Sequence, residues 1–288
     1  MKKTLIIFIL AALTACSGKG PGADRRIITV SIAPYSYFVK EIGRNDFSVN
    51  IMVPPGSNPH IYEPFPEQIR QLSRSLAFIS NGYLGYEVTW LDRFYELNRN
   101  MKKVSLGDKI DLIASSDKHD DHAEGADPHY WVSPHCARTM AAQVRDLLCS
   151  ISPADSGRYR LNCDSLLIKI GDTEALADTL LKGYAGKAFM IYHPNLAYLA
   201  RDYNLNEVAI EFEGKEPSPA RLRYLIDLAA SKNIRTIFVQ REYDSKNARE
   251  IAHEIGGKVV IIDPLSEDWL KATRGIIEKL HAALEETR

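Results

Sequence analysis

Apolar, β-branched runs alternate with helix-patterned segments twice along this chain, and that repetition constrains its fold more than any other feature. The first series places strands near 27–32 (IITVSI), 47–53 (FSVNIMV), 76–79 (LAFI) and 102–106, with helices near 34–43, 66–74, 85–98 and 134–150. The second places strands near 187–192 (KAFMIY), 207–210 (EVAI), 234–239 (IRTIFV) and 258–262 (KVVII), with helices near 195–203, 218–231, 245–255 and 267–286. Strands separated by helices pair in parallel, and the crossing helices then cover both faces of the sheet. Between the series, a stretch near 155–183 carries Tyr159, Leu166, Leu167, Ile170, Ala177, Leu180, Leu181 and Tyr184 at largely helical steps. About 28 helical residues reach about 42 Å, enough to cross a whole lobe. Gly171 weakens such a helix locally without having to break it. The expected fold class is α/β: two lobes, each a four-stranded, mostly parallel sheet with flanking helices, connected by one long rigid helix.

The N-terminal segment is of another kind. Lys2 and Lys3 precede an apolar run from Leu5 to Leu13. A run of roughly 10 residues is too short to span a bilayer, which needs about 20. It matches a secretory leader, here 1–15. The run ends Leu13-Thr14-Ala15-Cys16, the pattern of a bacterial lipobox, in which the cysteine sulfur takes a diacylglycerol and the chain is cut just before it. The Gly/Ser/Pro-containing stretch that follows fits a tether over 16–26. The bland alternative is a plain leader with a chance cysteine. The remaining divisions expected are an N-terminal lobe over 27–152, the connecting helix over 153–184 and a C-terminal lobe over 185–288. Outside the cytoplasm disulfides are permitted. Of Cys136, Cys149 and Cys163, the last two flank a turn that could bring them together, and their pairing stays open. The spacings do not fit a cysteine-type zinc site.

Formal net charge is −1, so no basic face for nucleic acid is implied. No phosphate-cradling glycine loop and no HExxH helix are present. What the chain does carry is a recurring histidine. His60 lies in Pro59-His60-Ile61-Tyr62, just past the second strand. His129 lies in Asp127-Pro128-His129-Tyr130-Trp131, after the loop that follows the fourth. His193 lies in Tyr192-His193-Pro194, directly after the first strand of the second series. Asp263, in Ile262-Asp263-Pro264, ends the last strand. All four fall beyond the carboxyl ends of strands, where open α/β sheets bind ligands. If the lobes face one another, two side chains from each converge. Three neutral imidazoles and a carboxylate make a good tetrahedral set for zinc, whereas manganese prefers more oxygen. One histidine near a strand end is more often a hydrogen-bonded structural residue, and it is the shared placement of three that carries the metal reading.

These stretches resemble the zinc and manganese binding proteins of ABC importers, the metal-binding cluster of solute receptors. The likeness is carried by GSNPHIYEPFPEQI (56–69), ADPHYWVSPHCA (126–137), FMIYHPNLAYLARDYNL (189–205), EFEGKEPSPARL (211–222) and VVIIDPL (259–265), in that order over nearly the whole chain after the leader. The resemblance implies two four-stranded lobes joined by one long helix, with Zn2+ between them as transported ligand. It makes His60, His129 and His193 metal ligands, with Asp263 at the fourth position, where some members use water. Manganese carriers generally have a carboxylate where this chain has His193. The resemblance also implies a non-enzymatic, monomeric receptor in the cell envelope, held to the membrane through Cys16 and docking on an ABC permease. Alternatives are a manganese receptor, an adhesin, or a zinc hydrolase, the last lacking an obvious general base.

Residues 117–124 resemble a short histidine-rich loop, which either holds a second cation or is simply solvated. Glu87 resembles a recurrent family glutamate expected to hydrogen-bond near the cleft, and Glu211 and Glu213 to line the second lobe's face. His135, His253 and His281 are expected to be structural or at the surface.

Overall fold

The computed structural model describes residues 26–114, 125–211, 217–243 and 246–287. Cys16 and residues 117–124 lie outside them. The first half supplies β1 (Ile27–Ile32), α1 (Ala33–Gly43), β2 (Ser48–Val53), α2 (Pro66–Leu72), β3 (Ala77–Ser80), α3 (Gly85–Leu97), β4 (Lys102–Ser105) and α4 (Pro134–Ile151). Then comes the long helix α5 (Ser156–Leu181). The second half supplies β5 (Ala188–Ile191), α6 (Ala197–Asp202), β6 (Asn206–Ala209), α7 (Pro219–Ser231), β7 (Thr236–Gln240), α8 (Lys246–Glu254), β8 (Lys258–Ile262) and α9 (Trp269–Glu285).

Each half builds one parallel four-stranded sheet, in the orders β2-β1-β3-β4 and β6-β5-β7-β8. The two orders are the same, so the fold repeats itself. Val30 of β1 registers with both Ile51 and Ile79, which makes β1 a central strand. Accordingly Ile28, Val30 and Ile32 are fully buried, with Thr29 and Ser31 buried between them. Burial on both faces lets Ile237, Phe238 and Val239 follow one another in β7, whereas in β1 the second face is filled by the small hydroxyls of Thr29 and Ser31, which are hydrogen-bonded to Ser75 and Glu87. β4, at an edge, instead exposes Lys102 and Lys103, side chains that discourage pairing with another chain.

The second sheet shows the period of two in its packing. Phe189 and Ile191 of β5 and Phe238 of β7 face the main core, with α5 and α9. Met190, Tyr192, Ile237 and Val239, one residue out of step, face a smaller core beneath α7 and α8. The main core runs on without a break into the first half, through α1, α4 and the first sheet.

Helix α5 joins these parts. Its 26 residues span about 39 Å. Tyr159, Cys163, Leu166, Ile170, Thr173, Ala177 and Leu181 form its buried stripe, at steps of three and four. That stripe packs on α1 and α4 of the first half and on α9 of the second. Gly171 lies inside the helix without interrupting it. Two tryptophans add a reciprocal tie between the halves. The Trp131 indole N–H donates to the Pro264 carbonyl at 2.9 Å, and that of Trp269 donates to the Trp131 carbonyl at 2.6 Å. Such bonds in a buried setting resist sliding of one half over the other, so the frame on which the strand-end loops sit is stiff.

Cys136, Cys149 and Cys163 are all free thiols; the sulfurs of Cys149 and Cys163 point instead at the carbonyls of Ser156 and Ala141. Among the described residues no helix is long and apolar enough to cross a membrane.

Candidate metal centre

Three loops at the carboxyl ends of the strands bring His60, His129 and His193 together. His60 sits in the loop after β2. Its backbone N–H donates to the Asn58 side-chain oxygen at 2.9 Å. The start of α3 presses on the same loop: a Cβ on Gly85 would stand 2.6 Å from the His60 carbonyl oxygen, so only glycine allows the approach. His129 follows the loop after β4 and begins a short 3-10 turn, Tyr130–Val132. His193 follows β5, and the Gln240 amide at the end of β7 grips its backbone, donating to the His193 carbonyl at 2.5 Å.

Glu87, on α3, organises the first lobe's contribution from below. Its carboxylate accepts from the Ser31 hydroxyl, from the Asn81 N–H at 2.8 Å and from the Gly82 N–H at 2.6 Å. Asn81 in turn donates to the Pro128 carbonyl at 3.0 Å, one residue before His129. Glu87 is 1% exposed, and burial pushes its carboxyl above the usual range despite those donors. It touches the loop scaffold and not the histidines, as the sequence suggests. Glu207 does the equivalent work in the second lobe, accepting from the N–H groups of Asn195 and Leu196 at 3.1 and 2.8 Å. Burial lifts its carboxyl to about 7.

The three Nε2 atoms lie 3.1 Å (His60 to His193), 3.3 Å (His60 to His129) and 3.3 Å (His129 to His193) apart. Four ligands arranged tetrahedrally around zinc at about 2.0–2.1 Å stand about 3.3–3.4 Å apart, so these separations match three corners of such a site. The outward nitrogens say more. His129 Nδ1 meets an Asp127 oxygen at 2.9 Å, and His193 Nδ1 meets a Glu211 oxygen at 3.0 Å. A carboxylate only accepts, so each Nδ1 carries the proton and each Nε2 of those neutral rings presents a lone pair to the centre. Three mutual contacts would need three protons, and only His60 has one to offer. The convergence is therefore repulsive among the imidazoles alone and is relieved by a cation.

Protonation does not supply that cation readily. Burial, helped by the neighbouring imidazoles, holds His60 well below its ordinary value. Burial also lowers His193, although Glu211 pulls the other way. Around the rings stand the acids. Burial opposes ionisation of Asp127, but the His129 imidazole and its N–H groups outweigh it and hold the carboxyl below its usual value. The same Asp127 oxygen also takes the His129 backbone N–H at 2.7 Å. Aromatic walls complete the site. Trp131 leans on His129, and Tyr243 stacks on His193 with ring centroids 4.7 Å apart and planes 15° apart.

Asp263 is placed differently. It is not among the donors that lie within 4.8 Å of one another, which are the three histidines alone among the described residues. One of its oxygens is 3.4 Å from Arg241, and the other is buried with no hydrogen-bond partner among the described residues. Glu242 nearby has a buried oxygen in the same condition, and burial pushes its carboxyl up to about 7. His135 and His253 are exposed, and His281 packs against Tyr184. Glu213 lies outside the described residues. Asp127 is the contributor that sequence reasoning leaves out as a partner of the site: the Asp-Pro-His spacing was the signal, since an acid two residues before a histidine can take both its backbone and its ring N–H.

The carboxylates behind two of the rings give a direct test of this arrangement. Asp127→Asn and Glu211→Gln should each weaken zinc binding by about tenfold to a hundredfold while leaving all three histidines in place. Competition of each purified variant against a chelator of known affinity measures it. Unchanged affinity in both would contradict the assigned ring orientation.

Comparison with known proteins bears on the chain as a whole. The model of one protein family, described as zinc-uptake complex component A, periplasmic (ZnuA), matches residues 28–283. The high-affinity zinc uptake system protein ZnuA of Bacillus subtilis (strain 168) is 28% identical over 289 residues, covering 92% of this chain and 89% of that protein. The zinc-binding lipoprotein AdcA of Streptococcus pneumoniae (strain R6) is 27% identical over 313 residues; the match covers 100% of this chain but 61% of AdcA's length. Among solved structures, a crystal structure of ZnuA superposes with a TM-score of 0.83 at 33% identity, covering 90% of this chain and 99% of that one. A zinc-bound deletion mutant of ZnuA gives the same TM-score at 34% identity, covering 90% of this chain and 98% of that one.

Proposed function

The chain belongs to the periplasmic zinc-uptake component A family, and from that membership we propose that it captures Zn2+ between its two lobes and hands it to an ABC import permease. It is a binding protein and not an enzyme; its zinc is cargo. The observation that carries the reading is the convergence of three Nε2 atoms at 3.1–3.3 Å, two of them with their outer nitrogens held by carboxylates.

In this reading His60, His129 and His193 are the ligands. Asp263 is the fourth donor, through the buried oxygen that has no other partner among the described residues. Its approach takes the carboxylate away from Arg241, a 65% exposed side chain that holds it weakly in water. An all-imidazole core favours zinc over manganese, which prefers oxygen donors. Residues 1–15 are the cleaved leader, Cys16 carries the lipid, and 16–26 tether the protein to the envelope membrane. The parts 27–152, 153–184 and 185–288 then act as lobe, strut and lobe of a monomeric receptor facing the periplasm or the exterior.

Deleting the chain in its host should abolish growth under zinc limitation, with rescue by the wild type and no rescue by His193→Ala. Growth lost under manganese limitation instead would move the assignment to manganese. Normal growth with lost surface attachment would move it to adhesion.

A further inference from the structure

We propose that Tyr198 is a positioning residue through which the second lobe fixes Asp127, and with it the zinc-facing imidazole of His129 in the first. The proposal deepens the zinc-capture reading and rests on it for its affinity arm. Tyr198 is fully buried on α6, the helix that follows the His193 loop. Its hydroxyl makes two bonds to the first lobe, accepting from the Ile113 N–H at 3.1 Å and donating to the Asp127 carbonyl at 2.7 Å. Ile113 and Asp127 flank an antiparallel bridge, Ala114 to Ala126, and the Asp127 N–H donates directly to the Ile113 carbonyl at 2.8 Å. Antiparallel residues facing each other in this way normally exchange both bonds. Here the return bond, from the Ile113 N–H to the Asp127 carbonyl, runs through the phenol hydroxyl instead.

Both backbone polar groups of Asp127 are therefore held. Pro128 has no N–H to place, and its carbonyl takes the Asn81 amide of the first lobe at 3.0 Å. The two carbonyls that precede His129 are thus gripped by one lobe each. With its backbone fixed, Asp127 turns its carboxylate to the His129 backbone N–H at 2.7 Å and to the ring Nδ1 at 2.9 Å. A single route leads from the Tyr198 hydroxyl through Asp127 to the proton on His129 Nδ1, and so to the lone pair that Nε2 offers the ion. His193 lies just before α6, so one short helix sets the places of two ligands that belong to different lobes.

The test uses the full chain and competition for zinc against a chelator of known affinity. Tyr198→Phe keeps the ring, with its edge-to-face contact to Tyr130 at 6.2 Å, and removes the hydroxyl. It should weaken zinc binding by about threefold to tenfold, the range that one hydrogen bond commonly contributes. In an Asp127→Asn background the same substitution should add less than about twofold, because the route passes through that carboxylate. Arg201→Gln is the control. Arg201 ties the same helix to the first lobe, donating to the Asp111 carbonyl at 2.7 Å, and does not touch Asp127. Its loss should leave affinity within about twofold of wild type. Unchanged affinity in Tyr198→Phe, full additivity with Asp127→Asn, or an equal loss in Arg201→Gln would overturn the proposal.

A second arm needs no metal. Nitrogen NMR of isotope-labelled imidazoles in the zinc-free protein reads which ring nitrogen carries the proton. His129 should be protonated at Nδ1 in wild type and shift toward Nε2 protonation in Tyr198→Phe, while His193, held by Glu211, keeps its tautomer. If wild-type protein takes up no zinc, the capture reading fails and this arm alone decides the role of Tyr198. An unchanged His129 tautomer rejects that role whatever the zinc result.

Discussion

His193→Ala is expected to weaken zinc binding by about a hundredfold to a thousandfold. The estimate follows from the roughly 10–16 kcal/mol by which structural zinc is held in four-ligand sites, about a quarter of which is lost with one ligand. The position is telling because, in the proposed site, His193 is the one imidazole that the second lobe supplies, whereas His60 and His129 both come from the first. Without it, zinc keeps two imidazoles on one lobe and has no imidazole reason to draw the other in. Fold stability should be little affected. His193 stands at a strand end outside the packed cores, and the bonds of its backbone to Gln240 do not need its side chain. Removing the ring even relieves the crowding of Nε2 atoms in the zinc-free state. Isothermal titration of purified protein reads the affinity, and thermal unfolding of the zinc-free variant checks the fold. Wild-type affinity in the variant would mean that the ion sits elsewhere.

Acidification is the second large effect. A protonated imidazole cannot ligate, so protons and zinc compete for the same lone pairs. Burial lowers His60 and His193 from the ordinary 6.5, so in zinc-free protein both are already neutral at pH 7. Affinity should therefore be nearly flat from pH 8 down to about 6.5. Below that it should fall as each depressed value is passed, approaching about tenfold per pH unit for each of the two rings. Proton release on loading follows the same window: close to none from these rings at pH 7.5, and rising in acid. Fold stability of the zinc-free protein moves the same way. The unfolded chain takes up protons near 6.5 and the folded chain only at lower pH, so stability is intact above 6.5 and lost as pH falls. Titrations in buffers of different ionisation heat count the protons. Release of about two protons at pH 7.5 would contradict the burial argument.

Much of this was legible in the residues themselves. The central strands announced themselves by their β-branched runs: the apolar core of TIFVQ is unbroken, and in IITVSI the interspersed Thr29 and Ser31 are small and buried. The long helix was legible from its apolar residues recurring at steps of three and four, although Leu161 and Ile168 on the same helix stay exposed. Three histidines just past strand ends were enough to suggest a shared site. What the pattern did not carry was the company each histidine keeps. Glu211 reaches His193 across 18 positions, a pairing with no period that a local reading can detect. The shared core was hidden too. Each half reads as a self-sufficient lobe, while in the structure α1, α4, α5 and α9 pack into one continuous interior. Asp263 shows a further limit. Its place beyond β8 was clear from sequence, but whether a carboxylate turns toward a cleft or toward a neighbouring guanidinium depends on side-chain rotation, which sequence does not encode.

X-ray absorption at the zinc edge of the loaded protein tests the central claim most directly. The arrangement of His60, His129 and His193 predicts four nitrogen or oxygen neighbours at about 2.0–2.2 Å, with the outer-shell scattering of three imidazole rings and no sulfur. Loss of one ring's signal in His193→Ala would identify that ligand. A zinc–sulfur distance near 2.3 Å, or fewer than three imidazoles in the wild type, would contradict the three-histidine site.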